Sequence, residues 1–324
     1  MPKAIRFHKT GGPEVLNWED VDVGKPGAGQ LRIQQKAVAL NFSDLFLRSG
    51  AAPVPLPAIC GSEGAGVVEE VGSGVTEFKP GDRVAYTSAP VGSYAEARLY
   101  PADKAVKLPE GISFETAAAM MMKGMTTAYL IKRTFKVQPG MTVLWHAAAG
   151  GVGLIASQWL RALGARVIGT VGSEEKAALA KEHGCEQVLV YSRDNVPERV
   201  KELTGGKGVP VVYDSVGKAT FMGSLDCLQP LGMMVMFGNA SGAPEPLNVG
   251  LLGQKGALYL TRPTLPAHTA TRQDLLALAK ELFDVVGSGK VKIRIGQRYA
   301  LKDAAQAHRD LEARKTTGST VLVP

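Results

Sequence analysis

The sequence predicts an α/β protein in which a β-rich segment precedes a doubly wound parallel sheet, and three observations predict it. Up to about residue 122, short β-like runs such as "AIRF", "LRIQQKAVAL" and "GAGVVEEVG" are separated by Gly and Pro clusters, with almost no helical periodicity. From "TVLWHA" onward, strand-like runs ("ARVIGT", "QVLVY", "VPVVYDS", "MMVMFG") alternate with helical segments, the sequence form of βαβ units. Between the first of these strands and its helix stands the glycine turn "AAAGGVG".

Taken in order, "AAPVPLPA" at 51–58 is a proline-stiffened loop, and "FKPGDRVAY" sets a Pro-Gly turn before an alternating strand, so the first segment reads as an irregular β-barrel or sandwich. In "FETAAAMMMKGMTTAYLIKRTF" Ala, Met and Leu replace the β-branched residues and a helix becomes the expectation. After "ALYLTRP" come two amphipathic helices and a closing strand, "STVLVP". That tail is too short to fold alone and is expected to pack back on the first segment. The expected domains are therefore 1–122 with 263–324, which would carry the substrate, and 123–262, which would bind a dinucleotide. No internal repeat of 20–50 residues is present.

Length and composition agree with this division. A chain of 324 residues suggests two domains, and 45% apolar with 21% charged residues describes packed rather than disordered chain. The formal charge of +7 is spread over single lysines and arginines, not basic runs interleaved with aromatics, so nucleic acid is not expected as a partner. Cys60, Cys185 and Cys227 form no C-x-x-C pair, which speaks against a disulfide framework and a cysteine-rich metal site. No targeting segment or uninterrupted apolar run of membrane-spanning length occurs, and a cytoplasmic protein is expected.

Gly150, Gly151 and Gly153 form a variant of G-x-G-x-x-G. Val152, Ile155, Ala156, Trp159, Leu160 and Leu163 follow at helical spacing as one buried stripe, so the turn opens a helix whose positive end a pyrophosphate can approach. His146, at the strand end, reads as a core histidine. The next strand bears on the choice of dinucleotide. An NAD site would carry an acid about 20 residues past the glycines, and Gly172-Ser173 stand there with Lys176 one turn later, which favours a 2′-phosphate and hence NADPH. Glu174 and Glu175 are read as first-turn carboxylates facing water. Tyr191 is a candidate wall for the adenine-ribose phosphate.

With these motifs in order, the sequence resembles a medium-chain dehydrogenase/reductase of the zinc-independent, zeta-crystallin-like NADPH:quinone oxidoreductase branch. "NFSD", "GSEGAGVV", "GDRVAY", "HAAAGGVG", "YDSVG" and "FGNASG" carry the resemblance over nearly the whole chain. It implies a GroES-like catalytic domain, a Rossmann domain, a nicotinamide cofactor in the cleft between them, and a homodimer. In zinc-dependent members cysteine stands in place of Asn41 and histidine in place of Ser62, and no cysteine cluster for a structural zinc follows "GDRVAY", so no metal is expected. Without a Lewis acid the acceptor must be electron-poor, a quinone or an alkene conjugated to a carbonyl.

The resemblance carries cofactor contacts over to Asn41, Thr126, Gly150, Gly151, Val152, Gly172, Ser173, Lys176, Tyr191, Ser215, Phe237, Gly238, Ser241 and Arg314, with Asn41 near the nicotinamide. Asn41, Asp44, Phe46, Arg48 and Ala52 would line the substrate cleft, and none has a certain catalytic role. Relatives often carry tyrosines where this chain has Phe46 and Ala52, which opens the choice of acceptor. Asp44 is expected ionised and Arg48 cannot release its proton, so solvent would supply the proton. An enone, enal or enoyl-thioester reductase is the alternative enzyme. A crystallin-like, non-catalytic protein binding NADPH or AU-rich RNA is the alternative of another class.

Overall fold

The computed structural model of the chain describes residues 1–324. Its strands are Lys3–Phe7 (β1), Asn17–Asp20 (β2), Gln30–Leu40 (β3), Ala58–Ile59 (β4), Glu63–Val71 (β5), Arg83–Thr87 (β6), Ala97–Pro101 (β7), Ala105–Lys107 (β8), Thr142–Trp145 (β9), Arg166–Val171 (β10), Gln187–Val190 (β11), Val209–Asp214 (β12), Leu228–Met236 (β13), Tyr259–Thr261 (β14), Ile295–Ala300 (β15) and Ser319–Val323 (β16). Its helices are Phe42–Ser49 (α1), Phe114–Tyr129 (α2), Gly151–Ala162 (α3), Glu174–Glu182 (α4), Val196–Leu203 (α5), Phe221–Asp226 (α6), Gly250–Gln254 (α7), Leu265–His268 (α8), Arg272–Gly287 (α9) and Ala304–Glu312 (α10). None is long and apolar enough to cross a membrane.

The chain divides into two compact units: Met1–Met125 with Thr269–Gly287 and Ile293–Pro324, and Thr126–His268 with Ser288–Lys292. In the first unit β15, β16, β3, β5, β6 and β8 form one sheet in that order, with β7 also on β3, while β2, β1 and β4 form a smaller one. The sequence of β3 explains its place. Its first half alternates buried and exposed residues, whereas Ala37, Val38, Ala39 and Leu40 are all buried. Ala37 and Ala39 pack on Ala118 and Ala119 of α2, and Val38 and Leu40 join Phe7 and Leu45 on the other face. Small residues on one side and large ones on the other let a strand be covered twice without voids.

The second unit holds six parallel strands in the order β11, β10, β9, β12, β13, β14. Renumbered within the unit this is 3-2-1-4-5-6, the Rossmann arrangement, whose strand order reverses between β9 and β12. Leu144, Ile168, Leu189, Val212 and Met234 fill its interior with Phe221 and Leu225 of α6. The helix after the glycine turn is more deeply covered than a single stripe: Gly153 through Leu160 are all buried, including Ser157 and Gln158. The Gln158 amide explains part of this, because its Nε2 donates to Lys292 O at 3.0 Å and its Oε1 accepts from Lys292 N at 2.9 Å. The segment 288–292 thus returns to the second unit and covers a helix face that the sequence pattern leaves polar.

Candidate functional site

The glycine turn lies where β9 ends, at the reversal of strand order. Ala147 adopts a left-handed conformation (φ 54°), Gly150 caps α3, and Leu154 N donates to Gly150 O at 2.9 Å, so the N–H groups of Gly151, Val152 and Gly153 have no acceptor inside the helix. A Cβ on Gly153 would stand 2.5 Å from Ala147 O and 2.6 Å from Ala148 O. The turn therefore folds against its own helix only with glycine there. Helix-terminal donors without an intrahelical acceptor and close backbone approach suit a pyrophosphate.

Beneath the turn runs a chain of buried hydrogen bonds. Asp214 Oδ1 accepts from the Val216 and Gly217 amides, at 2.7 and 3.0 Å, and Oδ2 accepts from the Thr220 and Ser224 hydroxyls, at 2.7 and 2.8 Å. Ser224 Oγ donates to that carboxylate, so it must accept from His146 Nε2 at 2.9 Å. Nε2 thereby carries a proton, and burial holds the imidazole pKa below the ordinary histidine value, with the Asp214 charge acting the other way. Its Nδ1 meets Tyr191 Oη at 2.8 Å and Thr170 Oγ1 at 2.9 Å. His146 is a core residue, as the sequence predicts, and it joins the ends of β9, β10, β11 and β12.

At the end of β10, Gly172 faces open space: nothing lies within 4 Å of a Cβ built there. Ser173 caps α4 by accepting from Lys176 N at 3.4 Å. The Tyr191 hydroxyl is turned inward to His146 and Thr170, so only its ring is left to form a wall. Glu174 does not simply face water; Arg193, which the sequence reading missed, binds both Glu174 and Asp194. Beyond β12 and β13, Ser215, Phe237, Gly238 and Ser241 are brought together. Ser215 O accepts from Ala240 N at 3.0 Å, and a Cβ on Gly238 would lie 2.7 Å from that oxygen. Ser241 Oγ donates to Val216 O and accepts from Ala219 N, so this hydroxyl builds the loop. Thr126 bonds Tyr129, whose ring stacks on His268 with centroids 4.4 Å apart.

The remaining candidates lie in the first unit. Asn41 precedes α1, and its Nδ2 donates to Glu63 Oε1 at 2.8 Å. Asp44 is completely buried, and its Oδ2 accepts from Asn41 N at 2.9 Å and from the Tyr94 hydroxyl at 3.1 Å. Burial pushes its pKa up to about 7, against the sequence expectation of a plainly ionised carboxylate. Arg48 is also an interior residue: it donates to Gly11 O at 3.1 Å, contacts His308 Nδ1 at 3.2 Å and pairs with Glu312. His308 Nε2 meets the Tyr94 hydroxyl at 3.3 Å, and burial together with the guanidinium lowers its pKa to about 3. Asp44 and Arg48 therefore belong to one buried polar cluster with Tyr94 and His308. Phe46 and Ala52 are half-buried, and Arg314 is exposed with φ 57° just past α10.

Two family models match the chain, "Alcohol dehydrogenase GroES-like domain" over residues 27–110 and "Zinc-binding dehydrogenase" over 151–281. A quinone oxidoreductase of Pseudomonas aeruginosa is 54% identical over the full length of both chains. A 2-haloacrylate reductase of a Burkholderia species is 46% identical over 100% of this chain and 99% of its own. The crystal structure of Escherichia coli quinone oxidoreductase complexed with NADPH superposes with a TM-score of 0.98 at 49% identity, over 99% of this chain and 100% of that one.

The zinc named by the second model does not fit the residues present. Of the two carboxylates beside Asn41, Glu63 already binds the Lys123 ammonium at 2.7 Å and the Met122 amide at 2.6 Å, Asp44 binds Asn41 N and Tyr94, and no three His, Cys, Asp or Glu side chains lie together as a ligand set. Lys123 and Glu63, like Tyr94 and His308, were missed in the sequence. A lysine inside "AMMMKGM" was the available signal, because a charge in an apolar helix face needs a partner. Full-length identity, both domain models and the strand order agree: the chain belongs to the quinone oxidoreductase branch of the medium-chain dehydrogenase/reductase superfamily.

Proposed function

We propose that the protein is an NADPH-dependent reductase of quinones in which the parallel-sheet unit holds the dinucleotide and the β-rich unit receives the acceptor. The observation that carries this reading is the glycine turn at the reversal of a 3-2-1-4-5-6 sheet, followed at the end of β10 by Gly172, Ser173 and Lys176 with no acid in the ribose-binding place. The helix-terminal amides of Gly151, Val152 and Gly153 would hold the pyrophosphate, and Lys176 with Ser173 the 2′-phosphate. The bound cofactor supplies the hydride. The half-buried Phe46 and Ala52 leave an apolar surface suited to a flat, electron-poor ring. NADPH oxidation measured with a quinone, a 2-alkenal and crotonyl-CoA tests the reading. The highest kcat/KM is expected for the quinone, and turnover of the thioester alone would refute it.

The identity to a 2-haloacrylate reductase favours a second reading, reduction of an alkene conjugated to a carboxyl group, on the same scaffold. It needs the same electron-poor acceptor and no metal. A homodimer is supported by the sheet edge: β14 exposes Tyr259 at 57% and Leu260 at 38%, with Leu231 of the adjacent β13 at 66%. An apolar edge strand favours pairing with a second copy. Leu260→Lys should convert a dimer to monomers in light scattering, and an unchanged mass would refute that interface. A cytosolic location is supported by three cysteines that all remain buried free thiols.

A further inference from the structure

Lys123 stands on α2 within an apolar run, yet it is 7% exposed, and Glu63, to which its Nζ donates at 2.7 Å, is 0% exposed. A buried ion pair is a poor stabiliser, since two apolar side chains of the same volume would serve the fold as well or better. The geometry gives it another role. Glu63 Oε1 accepts from both Lys123 Nζ and Asn41 Nδ2, while Oε2 accepts from Met122 N at 2.6 Å. A carboxylate only accepts, so the Asn41 amide must turn Nδ2 toward it, and the flipped amide would set oxygen against oxygen. A neutral group at position 63 carries hydrogens of its own and would tolerate either orientation. The Lys123 ammonium, 2.7 Å from Oε1, is the opposite charge that this buried carboxylate faces.

We propose that Lys123 is a positioning residue for the reduction: with Glu63 it fixes the Asn41 amide in one orientation, Oδ1 turned to the start of α1 and the second Nδ2 hydrogen in a defined place for the reacting ligands. This deepens the functional reading above and rests on it together with the place near the nicotinamide that the family resemblance implies for Asn41.

Lys123→Met alone strands a buried carboxylate and risks misfolding, so the decisive variant is Lys123→Met/Glu63→Gln, which keeps the volume and removes both charges. Its kcat with a quinone should fall about tenfold while its NADPH dissociation constant moves less than about threefold. Asn41→Ala should cost about the same tenfold in the wild-type background and almost nothing more in the double variant, because the three residues act as one unit. A readout independent of turnover is the Asn41 side-chain NH2 pair in ¹H–¹⁵N spectra of ligand-free protein. It should be resolved and slow to exchange in the wild type and fast to exchange in the double variant. A kcat within twofold of wild type, multiplying losses, or unchanged Asn41 signals would each overturn the proposal. Wild-type protein inert toward every acceptor would instead overturn the functional reading, and the NMR comparison would still judge the positioning.

Discussion

Replacing Asp44 by asparagine should change the pH dependence of stability by an amount that follows from its burial. The folded carboxyl titrates near 7 and the unfolded one near 3.8, with desolvation the main cause and the nearby Glu63 adding to it, while the Asn41 amide, Tyr94 and Lys123 act in the opposite direction. Between these values the unfolded chain binds fewer protons than the folded one, so the stability that Asp44 contributes is fully present below about pH 4 and is lost as pH rises through about 7. At about 1.4 kcal/mol per unit the full loss is about 4 kcal/mol, of which about 2.5 kcal/mol falls between pH 5 and 8. His308 acts with the opposite sign: its folded pKa near 3 lies below 6.5, so its contribution is present above 6.5 and is lost toward acid. The two slopes partly cancel in the wild type, and only the difference between wild type and Asp44→Asn isolates the carboxyl. The asparagine oxygen can still accept from Asn41 N and Tyr94, but its NH2 would fall where Asp44 Oδ1 is now buried without a partner, at a pH-independent cost of about 1–3 kcal/mol. Urea unfolding of both proteins at pH 5 and 8 measures this. The variant should gain about 2–3 kcal/mol on wild type as pH rises, and a difference equal at the two pH values would refute the buried-carboxyl account.

Lys176→Ala should bring NADPH affinity down about tenfold, or about 1.4 kcal/mol, while NADH affinity stays nearly constant; equal losses for both in a fluorescence titration would remove Lys176 from the phosphate site. Gly153→Ala should lower the melting temperature and abolish NADPH binding, because the added methyl meets Ala147 O at 2.5 Å; retained affinity would mean that the turn can shift. Dialysis against a strong chelator should leave reductase activity unchanged, and one zinc per chain by elemental analysis would contradict the donor set around Glu63.

The parts of this molecule that the sequence predicts are the local ones. The glycine turn, the neutral end of β10 and the alternation of strands with helices depend on neighbours within a few residues, and each is visible as spacing. The buried clusters of the first unit depend on distant chain. Arg48 meets His308 across 260 positions, and Lys123 meets Glu63 across 60. A short amphipathic helix such as "FSDLFLRS" gives no sign that a partner will cover its polar face, so Asp44 and Arg48 read as cleft residues when they are buried ones. Ser241 is a different case: its place in the loop after β13 is visible as spacing, whereas the main-chain bonds of its hydroxyl to Val216 and Ala219 join distant chain.

The return of residues 288–292 to the parallel-sheet unit bears on the order of events during synthesis. Gln158 is 6% exposed, and both ends of its amide are satisfied by Lys292, 134 residues downstream. Once a ribosome has passed β14, every strand of the parallel sheet has been made, but until Lys292 follows, the Gln158 amide has only Leu154 O of its own helix to donate to, at 2.9 Å, and its Oε1 must stay hydrated. The sheet can assemble early, and α3 can close over it fully only after Lys292 has left the exit tunnel. A nascent chain stalled before that point should therefore expose the glycine-turn helix to proteases that cannot reach it in the finished protein.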